Sequence, residues 1–263
     1  MGHEYISVER KDHLTIITLN RPERMNALHP PAHQELQATL DDYAEDADQW
    51  VCIITGAGDK AFSAGNDLKY QSEVGRDVVQ EGMKDVHTGF AGLVKRHDCF
   101  KPIIAAVNGF ALGGGCEIAL ASDIIIAAEG ASFGLPEPRV GLMAAAGGVH
   151  RLPRQLPYHI AMGMMLAGKR MTAEEAYGRG LVNEVVPLAD LLSTAEEWAS
   201  EIMKGAPLSL QATKEAAVKG MSVPLDEAID TMYPGMQKMY ASEDLVEGPL
   251  AFAEKRQPNW KGR

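Results

Sequence analysis

Short β-branched runs separated by helical stretches constrain this chain more than any other feature. EYISVER and HLTIITL read as two strands, Pro30 and Pro31 open a helix that runs through Ala47, and VCIIT follows as a third strand. The rhythm then repeats. Val78 to Arg96 reads as helix, IIAAV from Ile103 as strand, GGGCEIALAS as helix and DIIIAA from Asp123 as strand. Strands joined by helices in this way predict an α/β layout. From Ala189 the strands stop, and four helical segments follow, broken near Pro207, Pro224 and Glu243. The chain therefore divides into a core over residues 1–188 and an α-helical subdomain over 189–263, packed on the core or on a neighbouring subunit.

With 263 residues and 46% hydrophobic content, the chain can bury a large core without disulfides or metal. Cys52, Cys99 and Cys116 are odd in number and lack CxxC spacing, which suggests a reducing compartment rather than a disulfide framework or a zinc knuckle. The opening MGHEYISVERKDH has no apolar stretch of the signal-peptide kind, and no run approaches the ~20 apolar residues that span a bilayer. The expectation is a soluble, cytoplasmic protein with no membrane partner. Met1-Gly2 invites N-myristoylation, but Ile6 stands where that pattern wants Ser or Thr. A net charge of -11 argues against nucleic acid as a partner, since such binding rests on many cations facing phosphates. A polyanionic cofactor needs only a few local cations and helix N-termini, so it is not excluded.

Several motifs lead nowhere. AFSAG, Ala61 to Gly65, falls one residue short of the GxSxG nucleophile elbow, and Ser63 reads as a loop residue. His29 and His33 have helical spacing but enclose two prolines and no glutamate, so they read as surface residues near a helix start. The glycines of GGGCE and GAGDKAF match neither the dinucleotide fingerprint nor the P-loop, and MGMML, Met162 to Leu166, reads as helix core.

Two glycine-bearing turns carry more: FSAGNDL at 62–68 and NGFALGGGCEIALASD at 108–123. Gly113 to Gly115 stand where a helix should begin, so bare amides and the positive helix end can face a ligand oxygen. A tight turn that simply needs glycine would look the same. Glu117 then falls inside the apolar CEIALAS, and Glu137 lies between Pro136 and Pro138. Carboxyls among apolar residues lose solvation, so their pKa values rise toward the range of proton exchange near neutrality. Salt-bridged or solvent-facing glutamates are the plainer alternative.

KPIIAAVNGFALGGGCEIALASDIIIAAEGASFGLPEPRVGL, from Lys101 to Leu142, resembles the signature of the crotonase or enoyl-CoA hydratase/isomerase family, and FSAGNDL resembles its other active-site segment. TLNRPERMNAL, MTAEEAYGRGLVNEVV and EGPLAFAEKRQPNWKG are similar to the family too, so the likeness covers nearly the whole chain. It implies a spiral of β-β-α units forming two sheets, followed by C-terminal helices that assemble trimers or hexamers. It also implies an oxyanion hole at the Asn66 and Gly114 amides, with Glu117 holding and deprotonating water and Glu137 exchanging the α-proton. Arg24, Ala64, Asp67, Leu68, Phe252 and Lys255 fall at positions that contact coenzyme A. The reaction implied is hydration of a 2-enoyl-CoA, with CoA entering as part of the substrate and no metal, nicotinamide or flavin cofactor.

One departure bears on the acyl group. Ala144 and Ala145 stand where family hydratases carry Pro-Gly, in a loop that lines the acyl pocket. Dienoyl-CoA isomerases and carnitinyl-CoA dehydratase-like members resemble the chain but carry an aspartate where Ala145 stands. The absence of that aspartate counts against both, while the changed loop keeps an enoyl-CoA isomerase or a carnitinyl-CoA dehydratase-like lyase acting on another acyl-CoA as the alternative; paired glutamates favour hydration because isomerisation can run on one carboxylate. Some family members bind RNA, which the net charge of -11 and the lack of a basic stripe argue against here.

Overall fold

The computed structural model describes residues 3–263; the Met1-Gly2 pair lies outside the described residues. The fold opens with an antiparallel hairpin, β1 (Ile6–Lys11) and β2 (Leu14–Leu19). α1 (Pro30–Glu45) follows, with its prolines in the first turn, where a missing N–H costs no helical hydrogen bond.

From there the chain winds as a spiral. Each turn lays a long strand in one sheet and then a three-residue strand in a second: β3 (Val51–Gly56) and β4 (Ala61–Ser63), β5 (Ile103–Val107) and β6 (Phe110–Leu112), β7 (Ile124–Ala128) and β8 (Ser132–Gly134). α2 (Leu68–Val74) and α3 (Arg76–Gly82) join the first turn to the second, and α4 (Gly114–Ala121) joins the second to the third. Then come α5 (Gly148–Gln155), α6 (Tyr158–Ala167), β9 (Arg170–Thr172), α7 (Ala173–Gly178) and β10 (Glu184–Val186). The large sheet has the order β1-β2-β3-β5-β7-β10 and the small one β4-β6-β8-β9. This is the spiral that the resemblance implies.

The near-continuous apolar strands are explained by burial on both faces of the large sheet. Its register makes two rows. Ile17, Ile54, Ala105 and Ile125 align on the face toward the small sheet and α4, while Ile16, Ile53, Ile104 and Ile124 align on the other. α8 (Leu191–Met203) covers that second face with Leu191, Ala195 and Ala199. The tail continues with α9 (Pro207–Gly220), α10 (Leu225–Asp230), α11 (Pro234–Tyr240) and α12 (Asp244–Glu254). No described helix is long and apolar enough to cross a membrane.

Two expectations need correction. The helix expected over 78–96 ends at Gly82, and the chain then runs in turns to a single 3-10 turn at Phe90–Gly92. Tertiary bonds take over there: Gln34 bonds the Gly82 carbonyl, while Gln37 bonds the Asp85 carbonyl and accepts from the Thr88 amide, all from the face of α1. The tail from Ala189 holds five helices rather than four, because Pro234 forces Tyr233 into extended backbone and separates α10 from α11.

Candidate active site

Parallel pairing of β4 and β6 brings the two glycine turns together, since both leave the same end of the small sheet. Leu28 bridges the first turn: its N–H donates to the Gly65 carbonyl and its carbonyl accepts from the Asp67 amide, each at 2.8 Å. In strand geometry that points the intervening Asn66 N–H the other way. Gly114 supplies the first amide of α4. Neither the Asn66 nor the Gly114 N–H meets a backbone acceptor among the described residues. A Cβ on Gly65 would stand 2.6 Å from the Gly114 nitrogen, so the turns touch; one on Gly114 would run into the Phe90 ring.

Phe90 is itself held from below. The His33 ring meets it at 4.4 Å between centroids, and His33 Nδ1 accepts from the Ala91 amide at 2.9 Å. Burial pushes the His33 pKa down to about 3, so the ring stays neutral with its proton on Nε2. The surface reading of His29 and His33 is thus wrong: they are 6% and 2% exposed. His29 sits edge-on to the rings of Tyr5 and Tyr70, so both histidines at the start of α1 pack inside the chain instead of facing solvent.

Glu117 lies in α4, 3% exposed, and its Oε1 accepts from the Gly148 amide at 2.8 Å. Burial drives its pKa up to about 7, opposed by bonds from the Gly148 and Ala146 amides and by Arg151, and reinforced by Glu137. Glu137 begins the turn after β8. Its Oε1 lies 3.1 Å from where a Cβ on Gly113 would be, and its Oε2 is buried with no partner. Burial raises its pKa as well. Two carboxyls whose pKa values are both raised by burial therefore flank the N-terminus that bears the free Gly114 amide.

The remaining expected residues divide into two groups. Arg24 ends a single turn, and the neighbouring Met25 carbonyl accepts from the Ala64 amide at 2.9 Å, which places Arg24 beside the first glycine turn. Leu68 opens α2 and is 41% exposed. Asp67 is occupied within the chain: it caps α2 through the Tyr70 amide at 2.9 Å and pairs with Arg21 at 3.0 Å. Burial pushes its pKa up, yet these two partners outweigh burial and hold it below the usual range. Phe252, 87% exposed on α12, and Lys255 just beyond that helix stand on the surface of the single chain. Ser63 is buried, donates to the Asn26 carbonyl and accepts from the Gly65 amide, which makes it a brace for the turn.

The family model described as Enoyl-CoA hydratase/isomerase matches residues 9–263. The chain belongs to that family. Carnitinyl-CoA dehydratase of Escherichia coli K12 is 44% identical over 99% of both chains. Among solved structures, enoyl-CoA hydratase from Bacillus anthracis superposes with a TM-score of 0.92 at 38% identity, covering 99% of this chain and 100% of that one. Enoyl-CoA hydratase from Mycobacterium tuberculosis H37Rv gives 0.90 at 37%, covering 98% and 99%. In this member of the enoyl-CoA hydratase/isomerase family, sequence reasoning missed the supports: the Gly148 amide that holds Glu117, the Phe90 and His33 prop, and Arg151. The Gly147-Gly148 pair ahead of a helix was the available signal for the cradle, by the same logic that singled out Gly113 to Gly115.

Proposed function

We propose that this chain is a hydro-lyase acting on acyl-CoA thioesters, adding water across, or removing it from, the 2,3 bond. The observation that carries this reading is the pair of desolvated carboxyls, buried Glu117 and half-buried Glu137, both with pKa values raised by burial, on either side of two amides without a backbone acceptor. A thioester carbonyl accepting from Asn66 and Gly114 gains charge as it becomes an enolate, and one such donor is typically worth ~10²–10³ in rate. Glu117, oriented by the Gly148 amide, holds and deprotonates the water. Glu137, with Oε2 unpartnered, exchanges the α-proton. Each contributes roughly 10²–10⁴, and the two titrate as a coupled pair. With Arg24, Ala64 and Leu68 the first turn receives the CoA moiety. The reaction runs without metal, nicotinamide or flavin, and activity that fell on EDTA dialysis and returned with a divalent ion would contradict this.

Hydration of an enoyl-CoA and dehydration of carnitinyl-CoA are one chemistry read in two directions on different acyl groups. The hydratase reading rests on the paired carboxyls and the hydratase-like fold. The dehydratase reading is favoured by the 44% identity to carnitinyl-CoA dehydratase over 99% of the chain. Turnover measured on crotonyl-CoA, longer 2-enoyl-CoAs and carnitinyl-CoA, followed at the absorbance of the conjugated bond, decides between them. No water addition or loss with any of them would end the hydro-lyase reading. The exposed apolar side chains of the tail support assembly as a trimer or a dimer of trimers, in which Phe252 and Lys255 meet the CoA of a neighbour.

A further inference from the structure

Arg151 stands where the two halves of the site meet. It is the fourth residue of α5, and helical side chains lean toward the N-terminus. Its guanidinium folds back over Gly147, where a Cβ would collide with Nη1. That position adjoins Gly148, whose amide holds Glu117. On the other side, Nη2 donates to the Val94 carbonyl at 2.7 Å. Val94 belongs to the strap over residues 88–96, in which Phe90 covers Gly114 and the Ala91 amide is anchored on His33. Among the described residues Arg151 has no carboxylate at ion-pairing distance. A half-buried cation with only a carbonyl partner is costly to keep unless its charge is used elsewhere.

We propose that Arg151 is a positioning residue that ties the Glu117 cradle to the strap over Gly114 and lends its charge to the carboxylate form of Glu117. One side chain then sets both the proton affinity of the water-holding group and the shape of the oxyanion hole. The charged groups that face Glu117 are Arg151, from α5, and Glu137, from the turn after β8; they act in opposite directions. Glu117 is in turn the charged group that Arg151 faces. The catalytic consequence rests on the hydro-lyase reading given above.

The test is a ¹³C NMR titration of the glutamate carboxyls in wild type, Arg151→Met and Arg151→Lys, with the Glu117 resonance assigned by its loss in Glu117→Gln. Arg151→Met should move the Glu117 titration upward by about half a pH unit or more, since an opposite charge nearby favours the ionised form. Arg151→Lys keeps a charge but not the fork that reaches Val94, so it should shift the titration less, in the same direction. In turnover both should lower kcat more than they raise KM, and carry the acid limb of the pH profile upward with the titration. Glu117 titrating as in wild type in both folded variants would overturn the proposal. The titration needs no substrate, so a wild type that fails to hydrate any thioester would sink the functional reading alone.

Discussion

The two glycine turns and the helical tail stand at opposite extremes of completion within one chain. At the turns, one added carbon meets the Gly114 nitrogen, the Phe90 ring or the Ser63 carbonyl. In the tail, Met221 is 82%, Leu225 76% and Ile229 72% exposed, and Phe252 lies on the surface. A surface packed so tightly is finished by its own chain, whereas large apolar side chains left in water call for another surface to cover them. On the reading proposed above, the difference separates what one chain would supply, the chemistry, from what assembly would supply, the cover and the far end of the CoA site.

The strongest way to break the comparison is to remove an amide from the finished region. In a Phe90→Ala background, which clears the ring from the space a Cβ would take, Gly114→Pro should lower kcat a further ~10²–10³. Asn66→Ala, which keeps its N–H, should cost less than about tenfold. Equal losses, with both proteins folded, would move the function of position 66 from backbone to side chain.

A second effect is thermodynamic. The folded pKa of Glu117, about 7, lies above its ordinary value of 4.5, so folding takes up a proton between these values. Stability contributed by this group therefore falls as pH rises through that window and levels off above it. Glu117→Gln removes the penalty, and should unfold roughly 1–3 kcal/mol less readily than wild type at pH 8, with the gain fading toward pH 4.5. Parallel unfolding curves across that range would show that Glu117 ionises as freely in the fold as in water.

The smallest effect on the single chain should come from the tail. Leu225→Ser with Ile229→Ser should change chain stability by less than about 0.5 kcal/mol, as surface substitutions do, yet weaken assembly. Light scattering at micromolar concentration should show a mass well above 28.4 kDa for wild type and a fall toward that value for the variant. A wild type already at the single-chain mass would remove the distinction between the two regions.

What could be read from the sequence follows the same division. The long strands were legible because β-branched runs flanked by helices leave few alternatives, whereas the glycine turns, which a plain tight turn would equally explain, gained weight only from the resemblance of the segments around them. The three-residue strands β4, β6 and β8 were not, since so short an element carries no period and exists only through its neighbours in the spiral. Segment 83–96 was misread because side chains from α1, Gln34, Gln37 and His33, fix it, and no local pattern records contacts about fifty residues away. Glu117 and Glu137 stood out as chemistry, but that both lose solvent, and that Glu117 leans on Gly148, depended on packing, for that bond across 31 residues of chain.

The central claim is that Glu117 and Glu137 act as one unit on one water. Solvent oxygen incorporated from labelled water into the thioester product, measured for wild type, Glu117→Gln, Glu137→Gln and the double variant, tests it most directly. Each single change should lower incorporation by roughly 10²–10⁴ while thioester binding stays nearly intact, and the double variant should be scarcely worse than the poorer single one. Substantial incorporation by Glu117→Gln, or a wild type that shifts double bonds without taking up solvent oxygen, would contradict the account and leave isomerisation in its place.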